Sequence, residues 1–466
     1  MPTFADARAG TARADLTPDW PVMLAGFGQR TQPATTVHDP VFGKALYLED
    51  AGERMLILTT DLLSIPLQIG RPVAAGIAAG TGLAVRQICI CASHTHSAPN
   101  PGYAGDGAIG IERYEAHLIQ ALTALGIAAV RAARPARLRR GVGEADIFYN
   151  RRTHGRPNRV DRRVPVLVAD DAATGMPHAV LFGAGCHPTV LGWDNMAISA
   201  DFTGCAQAAI ERELPGATAL FFNTAQGNII PITSPRYDAL DPRGYCGGNW
   251  ATALGLGEML AAAVLRTAAA AAATPPALAS RRRDLALLPF FGRMDHATAE
   301  AELAGHRAVI AAELGTDFET AHPAGQLWSH ASARVIEEAM AEPRMRRLMI
   351  ACCYSRALIA RLRMPTAPPP FEVPVQVLRL AGFTFLALPG EVLTESGTAW
   401  SALADGDDAF VIAMANSHHR YLPGRVHFDE PDATNRYETA SAGLEPAAMD
   451  RLYAAAADML AGMPAD

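Results

Sequence analysis

Two histidines two residues apart, His94 and His96, stand in "SHTHSAPNPGY", directly after the apolar run "VRQICIC". In an extended chain, side chains two apart point the same way, so both imidazoles share one face. The Pro and Gly residues that follow end the strand and open a loop. Three other apolar runs finish in the same manner. His187 follows one in "LFGAGCHPTVLG", Glu391 follows another across a Pro-Gly turn in "FTFLALPGEVLTE", and "FVIAMANSHHRYLPG" runs into Asn416, His418, His419 and Tyr421. Imidazoles and a carboxylate gathered at strand ends match a zinc site. The sequence has no Cys-x-x-Cys pair, which favours a catalytic over a structural metal. Plainer roles stay open for each residue alone: a satisfied core or surface histidine, Glu391 opening a helix where the macrodipole favours it, Tyr421 as packing. The spacing is long-range, so pattern by itself does not fix a ligand set.

The elements that would position these groups alternate between strand and helix over the first half. "KALYLED" and "RMLILTTDLL" read as strands, "IGRPVAAGIAAGTG" as a helix closing on Gly, and "VRQICICASH" as the strand that carries the first histidines. "ERYEAHLIQALTALGIAAVRAA" has apolar residues at i, i+3 and i+4 and is a long amphipathic helix. Strands follow at "RLRRGVGEADIF", "VPVLVAD" and "AVLFGAGCH", then a helix at "GCAQAAIEREL" and a strand at "TALFFN". Residues from about 248 to 362 read as mainly helical around a strand-like "LALLPFF". A Pro-rich connector then leads into a β-hairpin at "FEVPVQVLRLAGFTFLALPGE", a last strand "FVIAMANSH" and a closing helix "AAMDRLYAAAADMLAGM". No repeat is visible. The expected class is α/β, with α+β as the alternative: a mixed β-sheet core flanked by helices, in one domain over 1–466.

Composition narrows the partners. The formal net charge of -7 argues against nucleic acid as the main partner, and the short "RRR" at 281–283 reads as a solvated strand edge. The Ala-rich "MLAAAVLRTAAAAAA" is interrupted by Arg266 and falls short of the ~20 apolar residues of a membrane span, so no transmembrane segment is expected. "MPTFADARAGTARADLTPDW" has no apolar core of a secretory signal. Seven scattered cysteines fit a reducing, cytoplasmic setting, with Cys89 and Cys91 packing in the core.

The order of several blocks resembles the neutral/alkaline, non-lysosomal ceramidase family over its N-terminal catalytic domain. The blocks are "ARADLTPDW", "LAGFGQR", "VHDPVFGKALYLED", "SHTHSAPNPGY", "YNRR", "GCHPTVLGWDNMAISADFTG", "LFFNTAQGNIIP", "LALPGE", "NSHHRY" and "NRYETASA". The resemblance implies that His94, His187, Glu391 and Tyr421 bind one Zn²⁺ per chain. It also implies that His96, Arg151 and Tyr437 hydrogen-bond the reacting group. That division is chemically sound: a zinc held by neutral imidazoles and a carboxylate brings its water to a pKa near 7, and the donors would stabilise a tetrahedral oxyanion. Asp61 and Asp201 stand where they would either orient ligand imidazoles or cap helices. His38 aligns with a family histidine near the site. His418 and His419 are read as loop-lining, and His154, His178, His296, His306, His322 and His330 as surface or structural.

Two departures bear on the substrate. "QGNIIP" puts Asn228 and Ile230 where the family's GDVSPN-type segment has Asp and Ser, and isoleucine offers no hydroxyl. Neither the C-terminal immunoglobulin-like domain nor the secretion signal of longer members is expected from these residues. The expected function is therefore zinc-dependent hydrolysis of a linear amide, ceramide-like or smaller, through zinc-activated water. The alternatives are an esterase or lactonase on the same site, or a non-catalytic binder of an acylated ligand.

Overall fold

A computed structural model describes residues 7–27, 30, 32–50, 52–99, 101–102, 110–152, 159–232, 248–315, 343–404, 406, 408–429 and 437–463. Tyr103, His154, His322 and His330 lie outside the described residues. The expected mixed sheet is present as two. The larger runs in the order Thr218–Asn223, Pro177–Ala184, Arg163–Asp171, Arg134–Glu144, Ala7–Asp15, Phe42–Glu49, Arg54–Thr60, Ile88–Ala92. Its outermost pairs are parallel and its interior pairs antiparallel. The smaller runs in the order Ala279–Leu287, Phe371–Leu380, Phe383–Ala387, Ala409–Ile412, and its last pair is parallel.

Alternation along the strands explains why two sheets form four layers. Leu46, Leu48, Ile57, Cys89, Cys91, Leu181 and Phe222 point toward the smaller sheet, where Leu378, Phe383, Phe385, Phe410 and Ile412 meet them. Their neighbours Ala45, Tyr47, Leu56, Leu58 and Ile90 point the other way, onto the helices Leu67–Thr81 and Ile111–Arg131. Runs buried on both faces read as nearly continuous apolar stretches. Phe222 and Phe385 meet edge-on between the sheets, with centroids 5.5 Å apart. On the outer face of the smaller sheet, Val373, Val375, Val377 and Val411 pack under Trp400 and Leu452 of the helices Thr394–Leu403 and Ala448–Ala461. The result is a helix–sheet–sheet–helix stack.

Local signals account for the turns. Ala381 and Gly382 have φ of 53° and 79°, two successive left-handed residues that match the twist a two-residue hairpin requires. "RRR" lies on the edge strand of the smaller sheet. Among the described residues one helix, Trp250–Ala270, is long and apolar enough to cross a membrane by length and composition. Its buried face, with Ala253, Leu256, Leu260 and Val264, packs on the larger sheet and on the helix Asp201–Glu213.

Candidate functional site

The loops that carry His94, His187, Glu391 and Tyr421 leave the C-terminal ends of strands that take part in parallel pairs, the usual place for a site in such sheets. One buried side chain ties these loops together. Asn223 ends its strand and bonds in three directions: its Oδ1 accepts from the Cys186 amide at 3.2 Å, its Nδ2 donates to the Ser93 carbonyl, and its own carbonyl accepts from Ala413 at 2.8 Å. Those partners precede His94, His187 and the loop that leads to Tyr421. Gly26 makes room beside His96, since a Cβ there would sit 2.2 Å from the imidazole ring. The edge of Phe27 then packs on that ring at 4.8 Å.

His94 sits in the left-handed region, with φ of 69°, and its amide donates to Leu62 at 2.8 Å. Its ring Nδ1 lies 2.8 Å from the Leu63 carbonyl. The ring Nδ1 of His187 lies 2.9 and 3.0 Å from the carbonyls of Gln226 and Ile229. A carbonyl only accepts, so in both rings the proton belongs on Nδ1 and Nε2 carries a lone pair. Both Nε2 atoms face the same oxygen: Glu391 Oε2 is 3.4 Å from His94 and 3.1 Å from His187. Burial lowers the His187 pKa below the ordinary imidazole value; Glu391 opposes this and Arg151 reinforces it.

Three acceptor atoms thus converge with no proton of their own between them, and a cation in their midst resolves the repulsion. Donors 2.0–2.2 Å from a tetrahedral ion stand about 3.3–3.6 Å from one another, and the observed spacings are close to this. His96 adds a further nitrogen 3.4 Å from His94 Nε2. His94, His96 and His187 form a buried triad able to hold a metal ion. Two donor sets therefore share His94 and His187, one completed by His96 and the other by Glu391.

Beside this cluster lies a buried polar network. Glu391 and Tyr421 are register partners in a short parallel ladder, so their side chains leave it on one face. The Tyr421 ring lies nearly parallel to that of His187, 6.4 Å away. Its hydroxyl accepts from Arg151 Nη2 at 3.0 Å, and the Tyr437 ring packs edge-on against it at 5.4 Å. Arg151 also donates through Nε to Glu438 at 2.8 Å and through Nη2 to the Gly227 carbonyl at 3.1 Å. Burial works against the Arg151 charge, yet Tyr421 and Glu438 raise its pKa above the ordinary arginine value. Its Nη1 is buried with no hydrogen-bond partner among the described residues. An unmet buried donor costs about 1–3 kcal/mol, more when charged, and here it belongs to a guanidinium that lies against Tyr421.

Four consecutive carbonyls, from Gln226 to Ile229, orient this site. Those of Gln226 and Ile229 take His187 Nδ1, and those of Gly227 and Asn228 take Arg151 Nη2 and the Arg151 amide. Gly227 is required because a Cβ would meet the Glu391 carbonyl at 2.7 Å. Main-chain roles leave no mark on side-chain identity, so only that glycine could have signalled the turn.

Several expectations are corrected. Glu391 opens no helix: its amide donates to Arg420, it belongs to the two-residue strand Glu391–Val392, and the helix starts at Thr394. Asp61 and Asp201 do not touch the imidazoles, whose Nδ1 atoms are taken by main-chain carbonyls. Asp61 accepts from Phe42 and Gln207, tying a strand start to the helix Asp201–Glu213, and Asp201, the first residue of that helix, accepts from Leu191 and Phe202. His38 is exposed and stacks on Trp250 at 3.8 Å, outside the cluster. Ile230 is buried on a short strand opposite Tyr149, and Asn228 holds the start of the next helix by accepting from Thr394 and donating to Glu395. His418, expected only to line its loop, brings Nε2 to 3.8 Å from the second oxygen of Glu391.

No family model matches the chain. Its fold is that of the neutral ceramidases. It is similar to a crystal structure of neutral ceramidase from Pseudomonas aeruginosa, with a TM-score of 0.70 and 20% identity over 99% of this chain and 76% of that one. A ceramidase complexed with C2 is similar as well, with a TM-score of 0.71 and 20% identity over 98% of this chain and 75% of the other.

Proposed function

We propose that this chain is a zinc-dependent hydrolase that cleaves a linear N-acyl amide, ceramide-like or smaller. The observation that carries this reading is the convergence of three acceptors, with Glu391 Oε2 3.4 Å from His94 Nε2 and 3.1 Å from His187 Nε2. His94, His187, Glu391 and Tyr421 would hold the ion. Glu391 is preferred to His96 because one of its oxygens faces both imidazoles at donor spacing, and because a carboxylate offsets the charge of a dication. A zinc ion held there would polarise an amide carbonyl and bring the pKa of its water to about 7.

The chain's own residues divide the remaining work. Arg151 Nη1, without a partner among the described residues, donates to the oxygen of the scissile carbonyl and follows it as negative charge develops. Tyr421 and Glu438 fix the guanidinium for this task through Nη2 and Nε. His96, held between Gly26 and Phe27, supplies a second donor from the opposite side of His94, and Tyr437 flanks Tyr421. Ile230 offers no nucleophile, so no acyl-enzyme forms at that position. The likeness to a ceramidase complexed with C2 supports an amide bearing an apolar substituent. The same oxyanion donors would serve an ester, so the test must separate the two bonds.

That test is a hydrolysis screen of N-acyl amides of graded chain length beside matched esters, with zinc-loaded and chelator-treated protein. Amide cleavage that needs zinc, and that is faster for small amides than for long-chain ceramide, is the expected result. Ester cleavage without amide cleavage, or full activity after chelation, would overturn the reading.

A further inference from the structure

The loop from Ala413 to Arg420 carries more backbone strain than its neighbours. Met414, Asn416 and Arg420 all have positive φ, at 55°, 61° and 56°. Left-handed non-glycine residues cost on the order of 1 kcal/mol or more each and persist only where surrounding bonds over-determine them. Here they do. Asn416 Oδ1 accepts from the Ile90 amide at 3.1 Å, and its Nδ2 donates to Gln376 at 2.8 Å. The amides of Met414, Ala415 and His419 donate to Gly390, Leu388 and Pro389. The loop is thereby tied along the whole approach to Glu391.

What this strain delivers is two side chains at Glu391: Tyr421, discussed above, and His418. The carboxylate turns Oε2 toward His94 and His187, while Oε1 faces His418 Nε2 at 3.8 Å. That nitrogen is buried and has no other partner among the described residues. The distance exceeds a hydrogen bond, and a small rotation of either group closes it. The ring is otherwise half enclosed, with its remaining surface facing a cavity of about 410 Å³ that Phe290, Phe371 and Met364 also line.

We infer that His418 is a positioning residue that donates from Nε2 to Oε1 of Glu391 and so holds this carboxylate as a one-oxygen metal donor. The inference rests on the reading of Glu391 as a metal donor. A carboxylate left free to turn would present either oxygen or both, and its geometry toward the imidazoles would be lost. A donor behind a ligand is typically worth 10–100-fold in metal affinity.

The test compares zinc affinity, by competition with a chromophoric chelator, for the full-length wild type, His418→Gln and His418→Leu. Gln keeps an N–H donor at the reach of Nε2, whereas Leu fills the volume against an apolar cavity without one. His418→Leu should bind zinc about 10–100-fold more weakly, His418→Gln should recover most of that loss, and the metal-free proteins should melt alike. Equal affinity of His418→Leu and the wild type would overturn the inference, as would equal weakness of both variants. A wild type that binds no zinc would instead remove Glu391 as a metal donor, and the role of His418 with it.

Discussion

His187→Ala should leave the protein folded and without metal, with hydrolysis reduced by at least about 10³-fold, beyond the ~10²–10³ that a single oxyanion donor supplies. The cause is geometric. His187 Nε2 is the nearer of the two imidazole nitrogens to Glu391, and without it Glu391 Oε2 keeps only the His94 contact at 3.4 Å. His96→Ala is the informative companion. It should retain metal and lose mainly kcat, by ~10²–10³, because His96 would act on the reacting oxygen rather than on the ion. Zinc content and kcat measured on both variants separate the two donor sets that share His94 and His187. Loss of metal from His96→Ala as well as from His187→Ala would reverse the assignment in favour of the set completed by His96.

Glu438→Ala should be the most destabilising single change near the site, by about 3–5 kcal/mol, as when one partner of a buried ion pair is removed. Glu438 accepts from Arg151 at 2.8 Å and from Arg152 at 3.0 Å, and all three side chains are buried. Without it, two buried guanidinium groups lose the carboxylate they share. Burial opposes ionisation of Glu438, yet Arg151 and Arg152 overcome this and lower its pKa to about 2. A folded pKa below the unfolded value of about 4.3 gives stability that is full above that value and lost as pH falls through the folded one. The stability gap between wild type and Glu438→Ala should therefore be widest near pH 7 and narrow from about pH 4 toward pH 2. Chemical denaturation at pH 7 and pH 3 measures it; a gap that widens in acid would refute the charge-pair explanation.

Strand runs and long helices were legible because their periodicity is set by burial. Ala45 and Leu46, or Cys91 and Ile90, betray opposite faces by alternation alone. The division into two stacked sheets was not legible, since a strand buried on both faces looks the same against a helix or a second sheet. In the site, His94, His187, Glu391 and Tyr421 stood out as polar residues at apolar strand ends, and the structure brings them to one place. Asn223 gave no such signal: an asparagine ending a strand is common, and its three loop contacts exist only once distant segments have met. The carbonyls of Gln226 to Ile229 were invisible for a different reason, because main-chain acceptors are the same in every residue. Asp61 and Asp201 misled because a buried aspartate after an apolar run serves a loop amide as readily as an imidazole.

The most direct measurement is a crystal structure of the zinc-supplemented protein, with anomalous data collected on both sides of the zinc absorption edge. One zinc peak per chain, about 2.0–2.2 Å from His94 Nε2, His187 Nε2 and Glu391 Oε2, with Arg151 Nη1 turned toward the open side, is the expected result. A site without zinc, or a peak held by His94, His96 and His187 with Glu391 turned away, would contradict it.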